Sequence, residues 1–164
     1  MTFKEYLIRI RAEYPPEQRW RVVPQDIPEG IVTANGSTYA VSKDGNISCM
    51  CVKKGGDEHG KDILKKAIER GGYKLQAFGK DLFRFYTKNG FTPVSWTKFD
   101  RKRSPEGWEE RFGEEPLIFY AYTGNKQEFD YASFILFIIP KENEEDAYET
   151  RDLYINQQRK EKII

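Results

Sequence analysis

Apolar residues recur at helical spacing near the start of the chain, in residues 2–13. Thr2 can cap the first turn, and Pro15 interrupts the pattern. The sequence therefore predicts a first amphipathic helix. Its apolar face holds Phe3, Tyr6, Leu7 and Ile10. Prolines punctuate the next stretch, residues 17–30, which predicts an irregular or edge-strand connection.

Two β-rich runs follow, at residues 38–42 and 47–53. Lys43-Asp44-Gly45-Asn46 joins them, and Gly and Asn both tolerate the positive φ of tight turns. This pattern predicts a hairpin. After a glycine-marked loop, residues 61–72 predict a second amphipathic helix that ends at Gly71-Gly72. Its apolar face holds Ile63, Leu64, Ala67 and Ile68.

Strands and helices continue to alternate in the second half of the chain. The pattern predicts a strand over 73–79, a helix over 80–90 closed by Asn89-Gly90, and strands over 91–99, 116–124 and 133–140. A largely polar C-terminal helix follows over 142–164, anchored by Ala147, Leu153 and Ile155. This order predicts an α/β (α+β) fold in which helices flank a mixed β-sheet, in a single domain over residues 1–164.

The charge balance of the chain limits the classes of partner that the sequence predicts. The 164 residues include 27 Lys plus Arg and 26 Asp plus Glu, so the net charge of +1 predicts neither a nucleic-acid nor a membrane partner. The longest apolar run, residues 132–140, is shorter than the roughly 20 residues of a membrane helix, and the chain does not open on a signal peptide. We therefore expect a cytoplasmic protein. Cys49 and Cys51 form an i, i+2 pair, which does not easily reach disulfide geometry, so we expect buried thiols. Together with His59 they match no zinc spacing, so we expect no metal.

The loop 53–62, "KKGGDEHGKD", leads into a predicted helix. Its glycines could let the backbone approach a phosphate at the helix N-terminus. Three lysines in the loop favour an anion and three carboxylates oppose it, and an ordinary flexible connection is the alternative. His59 is the only histidine; it could act as a base or ligand, although an exposed loop histidine usually does neither.

The order hairpin, glycine loop, helix, strand, helix, strand resembles the acetyl-CoA-binding core of the GNAT family of N-acetyltransferases, over about residues 37–123. The segment "FYTKNGF", Phe85–Phe91, is similar to the Tyr-x-x-x-Gly-Phe end of the family's fourth helix. Gly60 matches the last glycine of the family's pyrophosphate loop, and Ile63-Leu64 match the apolar pair after it. Residues 124–164, an additional strand and the C-terminal helix, lie outside this core.

The resemblance implies an acetyl-CoA-dependent N-acetyltransferase that transfers the acetyl group directly to an unidentified amine, on a small molecule or a protein. Tyr86 occupies the place of the family's thiolate acid, and the strand 48–52 would polarise the thioester carbonyl through its backbone N–H groups. Glu58 is a candidate general base, as are Asp57 and residues within 106–115. The implied cofactor contacts are Cys51, Val52, Gly55, Gly56, His59, Gly60 and Lys61. A homodimer is compatible with this assignment.

A second hypothesis keeps the fold without the chemistry: a non-catalytic, GNAT-like protein of a phage or mobile element that binds a macromolecular partner. Glu58 stands where the family has a glycine, Gly55 stands where it has Gln or Arg, and the family's asparagine near residues 79–81 is missing. Tyr86 would then be a core residue. Trp108 and Phe112 could close over a substrate or pin a solvated loop. Affinity for CoA separates the two hypotheses.

Overall fold

The structure, a computed structural model, describes residues 1–163. These residues form six α-helices and six β-strands, which confirms the predicted α+β class. In chain order the elements are α1 (Phe3–Arg11), α2 (Pro16–Arg19), β1 (Gly30–Val32), β2 (Thr38–Val41), β3 (Ile47–Cys51), α3 (Gly60–Glu69), β4 (Lys74–Phe78), α4 (Gly79–Lys88), β5 (Phe91–Thr97), β6 (Leu117–Tyr122), α5 (Tyr131–Phe137) and α6 (Glu144–Ile163).

The chain forms two compact units. Met1–Tyr73 and Ser104–Phe112 make up the first unit; Lys74–Arg103 and the chain from Gly113 onward make up the second. Each unit contains one three-stranded antiparallel sheet. The prediction of one mixed sheet is therefore wrong for the described residues, although the α+β class is confirmed. A single domain over the whole chain stays a prediction.

The first unit contains the sheet β1-β2-β3. The predicted hairpin is confirmed: the Ser42 N–H donates to the Asn46 carbonyl at 3.0 Å, and Gly45 takes a φ of +85° in the turn. The helix α3 packs on β2 and β3, and buries Ile63, Leu64 and Ala67 as its periodicity predicts.

The first helix is also confirmed. In α1 the Thr2 side chain accepts from the Glu5 N–H and the Glu5 carboxylate accepts from the Thr2 N–H, which completes a capping box. Leu7 and Ile10 are buried. The prediction of an irregular or edge-strand connection over 17–30 missed the short helix α2, which begins at Pro16. The strand β1 begins at Gly30, the last residue of this stretch, and lies at the edge of the sheet, paired with β2.

The second unit contains the sheet β4-β6-β5, with β6 in the middle. The helix α4 follows β4 directly and ends at Asn89-Gly90, as predicted, with a φ of +93° at Gly90. The helix α6 packs on β5 and β6. Aromatic rings fill much of the core between α4 and this sheet: Phe83, Tyr86, Phe91 and Tyr120 are all buried.

The prediction of a strand over 133–140 is wrong, because residues 131–137 form the helix α5. The Asp130 carboxylate caps this helix: it accepts from the Ser133 N–H at 3.2 Å and from the Ser133 hydroxyl at 2.6 Å. Only Phe134 of the helix is buried, whereas Leu136, Phe137 and Ile139 are 76%, 74% and 82% exposed. The helix thus starts at a capped first turn, a signal that lies just before the apolar run and not within it.

Two of the three anchors predicted for the last helix are confirmed. Ala147 and Ile155 of α6 are buried, but Leu153 is 69% exposed. The sequence pattern missed Arg151, which is 1% exposed and donates to the Leu75 carbonyl at 3.1 Å. Within the described residues, no helix combines the length and the apolar character needed to cross a membrane.

Candidate functional site

A bulge interrupts the strand that leads into the glycine loop. The pairing of β3 with β2 shifts by one residue between Thr38 and Ala40, which leaves an extra residue in β3. Cys49 at this bulge has a φ of +56°, an uncommon value for a residue other than glycine. The Thr38 hydroxyl donates to the Cys49 carbonyl at 2.8 Å and holds this conformation. The bulge lies within residues 48–52, the strand predicted to polarise the thioester.

Side chains of the first unit fix the backbone directly after β3. The Val52 carbonyl accepts from the Tyr14 hydroxyl, and the Lys53 N–H donates to Ser37 Oγ at 2.9 Å. The tip of the loop is open: Gly55 is exposed with a φ of +81°, and a Cβ built there would meet nothing within 4 Å. The loop therefore combines a rigid base with an accessible glycine tip.

The N-terminus of α3 forms the far side of the loop. Gly60 begins the helix, and the Asp62 carboxylate accepts from the His59 N–H at 2.9 Å. His59 and Lys61 are exposed. The first N–H groups of any helix lack intrahelical partners and attract anions, but the Asp62 charge opposes an anion at this end.

The lysines at the start of the loop already have partners. Lys53 Nζ lies 2.6 Å from a carboxylate oxygen of Glu13, and Lys54 Nζ lies 5.3 Å from the centroid of the Tyr14 ring. Lys61, by contrast, forms no ion pair among the described residues. Lys61 is therefore the loop cation most available to a ligand.

Glu58 is buried, with a relative exposure of 7%. Its carboxylate lies 2.5 Å from Lys66 Nζ on α3 and accepts from the Thr33 hydroxyl between β1 and β2. Burial favours the neutral acid, but the hydrogen bonds from Lys66 and Thr33 outweigh it and lower the pKa of Glu58. A carboxylate with a lowered pKa is a weak base. These contacts suit a residue that ties the loop to α3 and to the β1–β2 turn.

Tyr86 lies in the second unit, on α4, and is 8% exposed. Its ring centroid is 5.9 Å from that of Phe91 and 5.4 Å from that of Tyr120. Burial raises the pKa of Tyr86, so its hydroxyl stays protonated at neutral pH. Burial among aromatic rings is also what is expected of a residue whose role is only to pack in the core.

Tyr120 is a buried tyrosine that the sequence pattern did not single out. It is 0% exposed, and its hydroxyl finds no hydrogen-bond partner among the described residues. Burial raises its pKa, and the neighbouring hydroxyls of Tyr86 and Tyr131 add to the effect. The interior of the second unit thus holds a cluster of protonated phenols.

The two cysteines are free and buried. Burial raises the pKa of the Cys51 thiol to about 12, so this thiol is a poor nucleophile at neutral pH. Of the predicted cofactor contacts, Cys51 is thus buried, Val52 and Gly60 are partly exposed, and the other four are exposed. Across residues 1–163, no cluster of three or more His, Cys, Asp or Glu side chains could hold a metal ion.

Comparisons with protein-family models, with curated proteins and with solved structures found no match to this chain.

Two features of the site were not predicted from the sequence. Glu58 and Lys66 are eight residues apart, and Glu58 precedes the helix. Ion pairs are normally predicted from sequence only at i, i+3 or i, i+4 within a helix. The bulge at Cys49 has no sequence signal, because cysteine is not a residue that favours positive φ.

Proposed function

We propose that the protein is an acetyl-CoA-dependent N-acetyltransferase of the GNAT type. One observation carries this proposal: between Ile47 and Lys61 a bulged strand is followed by an open glycine loop and then by a helix N-terminus. Exposed backbone at a helix N-terminus suits the pyrophosphate of acetyl-CoA, and Lys61 adds a cation there. The two free cysteines fit a reducing, cytoplasmic compartment.

In the proposed reaction the amine nitrogen of the acceptor attacks the thioester carbonyl. A C–N bond forms, the C–S bond breaks, the amine loses a proton to a base, and the CoA thiolate takes up a proton. Tyr86 stays the predicted proton donor, with a hydroxyl that is protonated at neutral pH. Burial raises its pKa, which makes it a weaker acid than an exposed phenol. We revise the role of Glu58 from base to anchor of the loop, since its pKa is lowered and its carboxylate is held by Lys66 and Thr33.

The test is a thermal-shift titration with acetyl-CoA and with CoA, on the wild-type chain and on Gly60→Glu. A glutamate in the first turn suits the helix dipole, and the substitution adds a negative charge where the pyrophosphate would bind. Gln157→Glu, on the exposed side of α6, is the matched control for added charge. We expect a saturable rise in Tm for the wild type and the control, and none for Gly60→Glu.

A positive result leads to a screen of amine acceptors, in which Tyr86→Phe tests the proton donor. No shift at millimolar acetyl-CoA in the wild type contradicts the proposal. An equal shift in Gly60→Glu places the cofactor away from the loop.

The second candidate is a non-catalytic protein that binds a macromolecular partner. It is favoured by the surroundings of the two predicted catalytic residues. Tyr86 lies in an aromatic core, and the buried Glu58 carboxylate pairs with the partly exposed Lys66. Leu136, Phe137 and Ile139 are also exposed, and exposed apolar side chains are frequent at interaction surfaces. An absence of CoA binding in the same titration supports this candidate.

A further inference from the structure

The helix α4 presents a line of three cations. Lys80, Arg84 and Lys88 recur at intervals of four residues, so they lie on one side of the helix about 6 Å apart along its axis. All three are exposed. They form one wall of an open cavity of about 590 Å³ in the second unit. This volume lies within the usual range for small-molecule sites.

The rest of the cavity is partly aromatic. Phe83, Phe129 and Tyr131 also line the cavity. The Phe83 ring is 1% exposed, so Phe129 and Tyr131, which are partly exposed, are the rings that a ligand can reach. The Phe83 and Tyr131 centroids are 5.3 Å apart in an edge-to-face arrangement, which holds the Tyr131 ring in place. A flat ring entering the cavity therefore meets aromatic side chains.

Some charged side chains of the cavity have partners within the protein and others do not. The Asp130 carboxylate accepts two hydrogen bonds from Ser133, which lower its pKa, and Lys80 acts on it as the nearby cation. Arg84 and Lys88 form no ion pair among the described residues. Two like charges one helical turn apart repel each other, so an anion bound between them is stabilised.

We propose that this cavity binds a nucleoside polyphosphate, with its phosphates on Arg84 and Lys88 and its base against Phe129 and Tyr131. A guanidinium binds phosphate oxygens in a bidentate manner, and an ammonium adds a point charge. Aromatic side chains stack on any nucleobase. Glu128, which also lines the cavity, can accept hydrogen bonds from ribose hydroxyls. This ligand uses both the cations and the rings, whereas a simple anion uses only the cations.

The site goes beyond the proposed acetyl transfer and shares no residue with the loop 55–61. CoA itself contains a phosphorylated adenosine, so the experiment must separate the two sites. The probes are ADP, adenosine and pyrophosphate, each titrated into the full chain by calorimetry. The variants are Arg84→Glu/Lys88→Glu in the cavity, Lys126→Glu/Lys160→Glu as the control of equal charge change on exposed residues of the same unit, and Gly60→Glu in the loop.

We expect ADP to bind the wild type more tightly than adenosine or pyrophosphate does. Loss and reversal of two charged phosphate contacts should weaken ADP binding by roughly a hundredfold in Arg84→Glu/Lys88→Glu. The control and Gly60→Glu should bind ADP like the wild type. Circular dichroism and Tm of the cavity variant check that it is folded. Phe129→Ala, which keeps both cations, should weaken ADP binding but leave pyrophosphate binding unchanged.

Four results overturn the proposal. One is the absence of ADP binding at millimolar concentration, and another is unchanged binding in the folded cavity variant. A loss of ADP binding in Gly60→Glu assigns the nucleotide to the loop instead, which leaves the acetyl-CoA proposal standing. Tighter binding of a single-stranded oligonucleotide than of ADP, lost in the cavity variant, points to a nucleic-acid surface.

Discussion

At the scale of single residues, surroundings decide what an acidic side chain can do. Glu58 and Asp57 are neighbours in one loop, yet Asp57 is exposed and Glu58 is buried. Only Glu58 gains Lys66 and Thr33 as partners, and these hold it ionised. Sequence spacing gave both residues the same status as candidate bases, because spacing does not report burial.

The lowered pKa of Glu58 makes a prediction about acid stability. A group with a folded-state pKa below its unfolded value stabilises the fold above the unfolded value, and this contribution is lost as pH falls through the folded pKa. We expect Glu58→Gln to lower the free energy of unfolding at pH 7 by about 1–2 kcal/mol. The difference from wild type should shrink below about pH 4.5, the ordinary range for glutamate.

Urea unfolding at pH 7, 5, 4 and 3 measures both quantities. Glu69→Gln, on the exposed side of α3, is the control and should change little at any pH. A difference between wild type and Glu58→Gln that stays constant down to pH 3 contradicts the assigned pKa direction.

At the scale of elements, the periodic segments could be predicted from sequence and the others could not. Apolar residues at helical spacing, together with capping or terminating residues, predict the helices α1, α3 and α4. The Gly-Asn turn predicts the hairpin. The helix α5 could not be predicted in this way, because its apolar run fits a strand equally well and its capping Asp130 lies before the run. The basic line on α4 was readable at i, i+4 and i+8 in "KDLFRFYTK", but only the structure shows that it lines a cavity.

The bulge in β3 predicts an unusual order of stabilities at Cys49. In an ordinary strand, glycine is less stable than alanine by about 0.5–1 kcal/mol. At a φ of +56° the order should reverse, because only glycine takes that conformation without steric cost. We expect Cys49→Gly to be more stable than Cys49→Ala by roughly 1 kcal/mol in urea unfolding.

The matched control is Ser48, the preceding residue of the same strand, which does not have a positive φ. Ser48→Gly should be less stable than Ser48→Ala. The same order at both positions means that the backbone at Cys49 relaxes without cost.

At the scale of the whole molecule, a buried arginine joins the C-terminal helix to a strand near the middle of the chain. Arg151 of α6 donates to the Leu75 carbonyl at 3.1 Å and to the Gln76 side-chain oxygen at 3.0 Å, both on β4. Its guanidinium also lies 5.6 Å from the Phe119 ring centroid and 5.1 Å from that of Tyr148. The second unit thus depends on contacts between residues about 75 positions apart.

Removal of this guanidinium should destabilise the protein. We expect Arg151→Met to lower the free energy of unfolding by about 2–3 kcal/mol, because the acceptors on β4 lose their donor inside the fold. Arg151→Lys should recover little, since an ammonium cannot reproduce the planar fork of donors. Lys160→Met, at an exposed position of α6, is the control in urea unfolding. A loss below about 0.5 kcal/mol in Arg151→Met, the range of ordinary surface changes, contradicts this role.

The division into two units has a consequence for the order in which the chain is made. Ser104–Phe112 belongs to the first unit, but the ribosome reaches it only after it has synthesised Lys74–Arg103, which belongs to the second. The first unit therefore cannot be completed while the nascent chain ends before Phe112. A stop codon placed just after Tyr73 would release a fragment that lacks part of its own fold, although the cut falls at a boundary between units.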